Sequence, residues 1–157
     1  RLTVAQTGIS NAAARDIAEC HPEYLQALQA LRPFAQDRAG ELVCVLGCGG
    51  DRDPAKRPLM AAAAEQHADR VVLTSDNPRN EDPQAIVDQM CTGLTREAQI
   101  VFDRGEAIAA SIAQAREHDI VLIAGKGHED YQEIQGVKHP FDDAQQARAA
   151  LIERAGL

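Results

Sequence analysis

The sequence predicts a three-layer α/β domain with a mostly parallel sheet and, near the C-terminus, a small hairpin or edge strand. Four short apolar runs alternate with amphipathic segments of helical length, which is the pattern of a doubly wound fold. The 157 residues are enough for one domain with its own core. We assign residues 22–157 to this domain and residues 1–21 to an irregular leading segment or linker, in which the stretch 11–19 is either a short helix or linker.

The predicted strands are continuous apolar runs rather than alternating ones. Continuous runs are typical of strands that helices cover on both faces, as in parallel sheets. The runs lie at residues 42–46, 71–73, 100–102 and 120–124. We therefore expect strands that are buried on both faces.

The helices are predicted from apolar periodicity and from signals at their ends. Pro22 suits a first helical turn, and apolar residues follow at helical spacing to about residue 35. Asp142 is expected to cap a final helix that ends near residue 155. Further helices are predicted at about 58–67, 83–94 and 105–117, and residues 131–135 and 137–141 flank Gly136 as the hairpin or edge strand.

Composition and charge exclude several classes of protein. The formal net charge of −8 argues against a general surface for nucleic acid or anionic membrane. No apolar run reaches the roughly 18 residues that span a bilayer, and no signal peptide opens the chain. We expect a cytoplasmic protein, and the first residue, Arg1 rather than Met, suggests a piece of a longer polypeptide.

The cysteines and histidines do not predict a metal site. The five histidines are scattered, without an H-E-x-x-H motif or a His/Cys cluster. The cysteines show no C-x-x-C spacing, so we expect buried free thiols in a reducing compartment. These are Cys20, Cys44, Cys48 and Cys91.

Three polar loops follow predicted strands and should meet at one edge of the sheet. They are the 49–57 loop, the 76–79 loop and the 125–130 loop, all rich in charge and two of them also in glycine. Ligands of open α/β sheets bind outside the carboxyl ends of the strands. The loops therefore predict a polar binding site, although three separate solvated turns would give the same pattern.

Two common nucleotide motifs are incomplete in these loops. Gly47-x-Gly49 begins like a dinucleotide fingerprint, but Arg52 stands at its third glycine position. The sequence GKG at 125–127 lacks the Ser or Thr that would ligate Mg²⁺ in a P-loop. A G-x-S-x-G nucleophile elbow is also missing. We therefore predict neither an NAD site nor a P-loop in this chain.

The loops mix both signs of charge. Arginine offers a planar fork to a carboxylate, whereas Asp, Glu and Asn oxygens accept hydrogen bonds from an ammonium group. Such a lining suits a zwitterion. A free amino acid carries both groups on one carbon, and contacts of both signs would fix its orientation.

The same loops resemble those of a known family. The sequences GGDRDPAKRP at 49–58, DNPR at 76–79 and GKGHEDY at 125–131 closely resemble the C-terminal domain of the Mur ligases. The resemblance runs from about residue 22 to the end. It implies a Rossmann-like domain that brings an amino acid to an ATP-dependent amide ligase of peptidoglycan synthesis, the incoming amino acid being meso-diaminopimelate.

The resemblance also implies roles for individual residues. Meso-diaminopimelate would be held by Arg52, Asp76, Asn77, Pro78, Arg79, Gly125 and Glu129. Candidates for phosphate or loop contacts are Lys56, Arg57, Lys126 and His128. Meso-diaminopimelate has one carboxylate more than lysine, and burying an arginine against that carboxylate would separate the two amino acids.

Other partners would be held by domains that this chain lacks. The resemblance implies that the UDP-N-acetylmuramoyl-dipeptide, and most of the contacts to ATP and Mg²⁺, belong to those domains. No catalytic residue is expected within this domain alone, and the isolated domain should be inactive. No nucleic acid and no membrane is expected as a partner.

Three alternatives remain at this point. The chain could belong to a lysine-adding homologue or to a ligase like folylpolyglutamate synthetase, although DNPR argues against the latter. It could also be a free-standing, non-catalytic binding module. The family's Asp-Tyr-Ala-His-Thr-Pro segment reads DIAECHP here, at 16–22, which keeps the third alternative open.

Overall fold

A computed structural model describes residues 1–8 and 21–157. Five strands form one parallel sheet, in which the first strand of the chain lies beside the fifth, and the second, third and fourth follow in that order. Two further strands pair antiparallel as a separate hairpin. The strands are β1 (Thr3–Gly8), β2 (Leu42–Cys48), β3 (Arg70–Ser75), β4 (Gln99–Ile100), β5 (Ile120–Gly125), β6 (Tyr131–Ile134) and β7 (Val137–Pro140).

Five helices within the described residues cover the two faces of the sheet. They are α1 (Pro22–Asp37), α2 (Lys56–His67), α3 (Pro83–Cys91), α4 (Arg104–Gln114) and α5 (Asp143–Ala155). Helices α1, α2 and α3 pack on one face, and α4 and α5 pack on the other. The three-layer α/β fold predicted from the sequence is therefore confirmed.

The alternation of side chains along β2 shows how both faces become core. Leu42, Cys44 and Leu46 pack with α1, α2 and α3, whereas Val43 and Val45 pack with α4 and α5. Every residue of β2 and β5 is buried. The continuous apolar runs at 42–46 and 120–124 thus lie in the middle of the sheet, where both faces are covered.

Three of the helices are directly preceded by an aspartate that caps the helix. The side chains of Asp82, Asp103 and Asp142 accept hydrogen bonds from backbone N–H groups in the first turns of α3, α4 and α5, at 3.0, 2.9 and 3.0 Å. These bonds satisfy donors that the helix itself leaves unpaired. The cap predicted at Asp142 is confirmed.

The edges of the sheet differ from the sequence-based prediction. Residues 3–8, placed in an irregular segment 1–21, form strand β1, which pairs along β5. The run at 100–102 contributes only the two-residue strand β4, and both of its residues are exposed. An edge strand has only one neighbouring strand and is less covered by helices. The prediction that this run is buried on both faces was therefore wrong. The stretch 11–19 lies outside the described residues.

The hairpin alternative for residues 131–141 is confirmed. Strands β6 and β7 are joined by Gln135 and Gly136, which have φ values of 49° and 77°. Positive φ at both central positions is the geometry of the tight turns that match strand twist. The backbone of Arg79 bonds to this hairpin at Glu133 and Gln135, and so joins it to the loop that follows β3.

Candidate functional site

The three polar loops converge around one cavity of about 180 Å³ at the carboxyl edge of the sheet, here called the central cavity. The 49–57 loop follows β2, and the 125–130 loop follows the neighbouring strand β5. The chain order reverses between these two strands, which is where open α/β sheets bind ligands. Six of the residues predicted to bind ligand line the cavity: Arg52, Asp76, Asn77, Arg79, Gly125 and Glu129.

Pro78, the seventh predicted ligand residue, is buried beneath the 49–57 loop and does not line the cavity. A Cβ atom on Gly50 would lie 1.9 Å from the Pro78 carbonyl oxygen, so only glycine permits this contact. The Gly50 N–H also donates to the Asn77 carbonyl oxygen at 2.8 Å. The position of Pro78 indicates a role in packing two loops together.

Lys126 joins the loops through a fully buried ammonium group. Its Nζ donates to the side-chain oxygen of Asn77 at 2.8 Å and to the Tyr131 carbonyl oxygen at 2.7 Å. The same Nζ lies 2.9 Å from Asp76 Oδ1 as an ion pair, outside hydrogen-bond angles. The side chain is 0% exposed. Of the two candidate roles for Lys126, the geometry supports the loop contact.

Asn77 connects Lys126 to Glu129, a residue of the cavity wall. Its Oδ1 accepts from Lys126 and from the Glu133 backbone N–H at 3.0 Å. Its Nδ2 donates to Glu129 Oε2 at 3.0 Å. The amide therefore orients the Glu129 carboxylate, which is partly exposed. Asn77 borders the cavity, but the hydrogen bonds of its side chain are made to other residues of the protein.

Arg57 is another structural cation of the site. Its guanidinium is buried and makes a bidentate ion pair with Glu81, with both N–O distances at 2.8 Å. It also donates to the Gly49 carbonyl oxygen at 3.0 Å. Hydrogen bonds from Arg57 hold the pKa of the Glu81 carboxyl below its ordinary value, against a smaller opposing effect of burial. The 49–57 loop is thereby fixed to the start of α3.

Arg79 adopts a left-handed backbone conformation, with φ of 52°. Its Nη1 donates to the Gly50 carbonyl oxygen at 2.8 Å, and its Nε pairs with Glu133 at 3.2 Å. The guanidinium borders the cavity while it is tied on two sides. Its planar group is therefore held in one orientation at the cavity wall.

Arg52 differs from the other arginines of the site. Its side chain is exposed at the rim of the central cavity, and its guanidinium makes no hydrogen bond or ion pair with another described residue. Lys56 is half-buried at the same wall. The floor is apolar, where Cys48 Sγ lies 3.7 Å from Met60 Sδ. The cavity thus combines an available cation at its rim with an apolar base.

The expectation of buried free thiols holds for Cys44 and Cys48. Both are buried and unpaired, and burial raises the pKa of each thiol to about 12. Cys91 is a half-buried free thiol, and Cys20 lies outside the described residues. The described residues contain no group of three or more metal-ligating side chains.

The two histidines nearest the site have different surroundings. His21 is buried in the cavity wall, and burial, with a contribution from Lys56, lowers its pKa from 6.5 to about 4. His128 is exposed and lines a second hollow, which shares His21, Gly125 and Glu129 with the central cavity. His128 therefore stays a candidate contact for a group outside the central cavity.

The arrangement can hold a molecule with separated charges. Arg52 and Arg79, which carry guanidinium groups, line the cavity together with Asp76 and Glu129, which carry carboxylates. Arginine binds carboxylates in a fixed plane, and carboxylates accept from ammonium groups. The apolar floor at Met60 suits a short methylene chain between the charged ends.

Sequence reasoning missed two carboxylates that build the site. Glu81 pairs with Arg57, and Asp143 pairs with Arg104 beneath the cavity. Both pairs join residues more than 20 positions apart, and neither follows a local motif. The sequence contains only a partial signal for the second pair: Gly47 and Gly125 leave room for a large side chain, but they do not show which one.

The Mur ligase, glutamate ligase domain family matches residues 15–127, which is more than half of the chain. The chain belongs to the Mur ligase family.

Within the described residues, no helix is long and apolar enough to cross a membrane.

Close relatives of this Mur ligase domain share one name, UDP-N-acetylmuramoyl-L-alanyl-D-glutamate–2,6-diaminopimelate ligase. The protein of that name from Acidovorax sp. strain JS42 is 51% identical over 92% of this chain, and the one from Chromobacterium violaceum is 56% identical over 83%. A solved structure of the same name superposes with a TM-score of 0.77 at 46% identity over 85% of this chain. The chain spans only 29%, 27% and 28% of these relatives' lengths.

Proposed function

We propose that this Mur ligase domain binds meso-diaminopimelate and presents its amino group for addition to UDP-N-acetylmuramoyl-L-alanyl-D-glutamate. The observation that carries the proposal is the central cavity, which is lined both by Arg52, unpaired among the described residues, and by the carboxylates of Asp76 and Glu129. The shared name of the relatives agrees with this ligand.

The geometry supports a division of labour within the cavity. The distal carboxylate of the ligand would bind Arg52 and Arg79, and the distal ammonium would bind Asp76 and Glu129. Its methylene chain would lie on the floor at Met60. These contacts leave the second amino group to face the open side of the cavity, where it can attack an activated carboxyl.

Catalysis by the domain would consist of orientation. Holding a nucleophile in line with its target removes much of the entropy cost of reaction. The reaction would be ATP-dependent: a carboxyl is activated as an acyl phosphate, and the amino group displaces the phosphate to form an amide. We assign no proton-transfer or nucleophilic step to a side chain of this domain.

ATP and Mg²⁺ would be held elsewhere in the longer polypeptide. This chain has no complete P-loop, and its described residues offer no cluster of three metal ligands. The cavity residues therefore do not fit a triphosphate with its metal ion. The UDP-linked substrate is likewise assigned to regions beyond this chain, and the proposed location is the cytoplasm.

Calorimetry on the complete ligase tests the ligand. We expect meso-diaminopimelate to bind and lysine to bind at least about tenfold more weakly, because lysine lacks the distal carboxylate that would bind Arg52 and Arg79. Equal affinity for the two amino acids would contradict the proposal and favour a lysine-adding ligase. Binding of neither would favour a different substrate class.

A further inference from the structure

A second buried ion pair lies directly beneath the central cavity, outside the residues that line it. Arg104 Nε and Nη2 each donate to one oxygen of the Asp143 carboxylate at 2.7 Å. Both side chains are 0% exposed. Arg104 begins α4 and Asp143 begins α5, so the pair joins the two helices that cover one face of the sheet.

The guanidinium of Arg104 also contacts the ends of two strands. Its Nη2 donates to the Ala124 carbonyl oxygen at 3.2 Å, and its Nη1 donates to the Ser75 carbonyl oxygen at 3.4 Å. Ala124 directly precedes Gly125, and Ser75 directly precedes Asp76. One rigid planar group therefore spans β3 and β5 at the point where their ligand-facing loops begin.

Two glycines of the cavity wall make room for this group. A Cβ atom on Gly47 would lie 2.8 Å from Arg104 Nη1, closer than such contacts are found. A Cβ atom on Gly125 would lie 3.4 Å from Nη2, and Gly125 has a φ of 133° that favours glycine. Both glycines line the central cavity, so the guanidinium lies one atomic layer below it.

The pair is also electrically coupled to the site. Burial alone opposes the charge of Arg104, but Asp143 raises its pKa above the ordinary value, with further contributions from Asp76 and Glu129. The two carboxylates that we assign to the ligand's ammonium group thus face a fixed positive charge from below.

We propose that Arg104 and Asp143 are positioning residues that set the places of Asp76 and Gly125 for binding of the diamino acid. This inference rests on the proposed function. Neither side chain touches the ligand. The pair would act by locking the two strand ends, so that the Asp76 carboxylate and the Gly125 backbone meet the ligand without rearrangement.

A purely structural pair is the alternative, and stability alone would not separate the two roles. Buried ion pairs contribute little net stability, because desolvation offsets their attraction, and apolar replacements of both partners are often tolerated. A variant that keeps the fold and removes the pair can therefore isolate the effect on the site.

The test is the double variant Arg104→Met/Asp143→Leu in the complete ligase. We expect the variant to unfold at a denaturant concentration close to that of the unaltered enzyme. We expect its KM for meso-diaminopimelate to rise roughly ten- to hundredfold, while its KM for ATP changes less than about twofold. An unchanged KM for the diamino acid would overturn the inference.

Two further variants keep the test decisive if the double variant does not fold. Arg104→Lys keeps a positive charge beside Asp143 but lacks the planar fork that reaches the Ser75 and Ala124 carbonyl oxygens, and we expect it to raise the same KM by a smaller factor. The control is Asp119→Asn, which alters a buried carboxylate at the opposite end of β5. A rise in KM for the control equal to that for Arg104→Lys would contradict a positioning role.

The unaltered enzyme separates the two proposals. If it binds meso-diaminopimelate and the variants bind equally well, only the positioning role fails. If it does not bind meso-diaminopimelate, the proposed function fails, and the positioning role fails with it.

Discussion

The ammonium group of Lys126 lies 2.8 Å from the side-chain oxygen of Asn77, and this contact joins two loops that are 49 residues apart in the chain. Asn77 in turn bonds to Glu129. A single buried charge thus controls the relative positions of the 76–79 loop and the 125–130 loop. The positions of Asp76, Asn77 and Glu129 in the cavity wall therefore depend on the Lys126 ammonium group.

Replacing Lys126 with methionine should destabilise the protein strongly. The substitution leaves the Asp76 carboxylate without its counter-charge and removes one of the two donors to the Asn77 oxygen. We expect the free energy of unfolding to fall by about 3–5 kcal/mol, as for one broken member of a buried pair. Denaturant unfolding measures the loss. Lys138→Met, on the exposed strand β7, is the control: it removes only a surface contact of the Lys138 ammonium group with the Tyr131 ring, 4.3 Å away, and should cost less than about 1 kcal/mol. Similar losses in the two variants would contradict the assigned role.

Replacing Arg52 with alanine should weaken ligand binding while it leaves stability unchanged. The guanidinium is exposed and unpaired among the described residues, so the folded protein loses no contact to it. A charge-assisted hydrogen bond contributes about 1.5–3 kcal/mol, which predicts roughly ten- to hundredfold weaker binding of meso-diaminopimelate in calorimetry. Arg148→Ala, an exposed arginine of α5, is the control. Unchanged affinity in Arg52→Ala would remove Arg52 from the binding site.

Replacing Gly50 with alanine should disrupt the packing of two loops. The new Cβ atom would lie 1.9 Å from the Pro78 carbonyl oxygen, so backbone must move. We expect a loss of about 1–3 kcal/mol or more, together with weaker ligand binding. In Gly105→Ala the new Cβ would meet the ends of side chains at 3.3 Å, and that variant should be neutral. Thermal unfolding of the two variants would show the difference, and equal midpoints would argue against the close contact.

Stability should depend on pH through His21. Burial, with a contribution from Lys56, lowers the pKa of His21 from 6.5 to about 4 in the folded protein. Between these values the unfolded chain binds a proton and the folded protein does not, so stability decreases as pH falls from about 6.5 to about 4.

The variant His21→Leu tests this dependence. We expect its free energy of unfolding to fall less between pH 7 and pH 4.5 than that of the unaltered protein. The reason is that leucine cannot take up the proton that His21 binds in the unfolded chain but not in the folded protein. His118→Leu changes an exposed histidine and should keep the original dependence. If His21→Leu and the unaltered protein lose stability in parallel, His21 is not the responsible group.

The central fold could be predicted because its physical signals are local. Strands β2 and β5 are buried on both faces, and their sequences are continuous apolar runs. The position of the loops then follows from the parallel arrangement, since all carboxyl ends meet at one edge. The cavity was therefore predictable from strands and loops alone, before any contact was known.

Edges and long-range pairs could not be predicted in the same way. Strand β1 contains Gln6 and Thr7 and is only partly buried, so its sequence resembles a loop. The partners of Arg57 and Arg104 are 24 and 39 residues away, and only the folded chain brings them together. Loop sequence alone offered phosphate as a candidate contact for Arg57, whereas its guanidinium is committed to Glu81.

The two sides of the cavity differ in how freely they could change over evolution. Arg52 has no side-chain partner at the rim among the described residues, so substitutions there should cost little folding stability and, under the proposed function, should alter which acidic group is recognised. Asp76 and Glu129 are embedded in bonds with Lys126 and Asn77, so changes to them disturb the whole loop arrangement. Under the proposed function, recognition of the ligand's ammonium group would depend on contacts that also hold the fold, whereas the preference for a particular amino acid could change through substitutions at exposed positions.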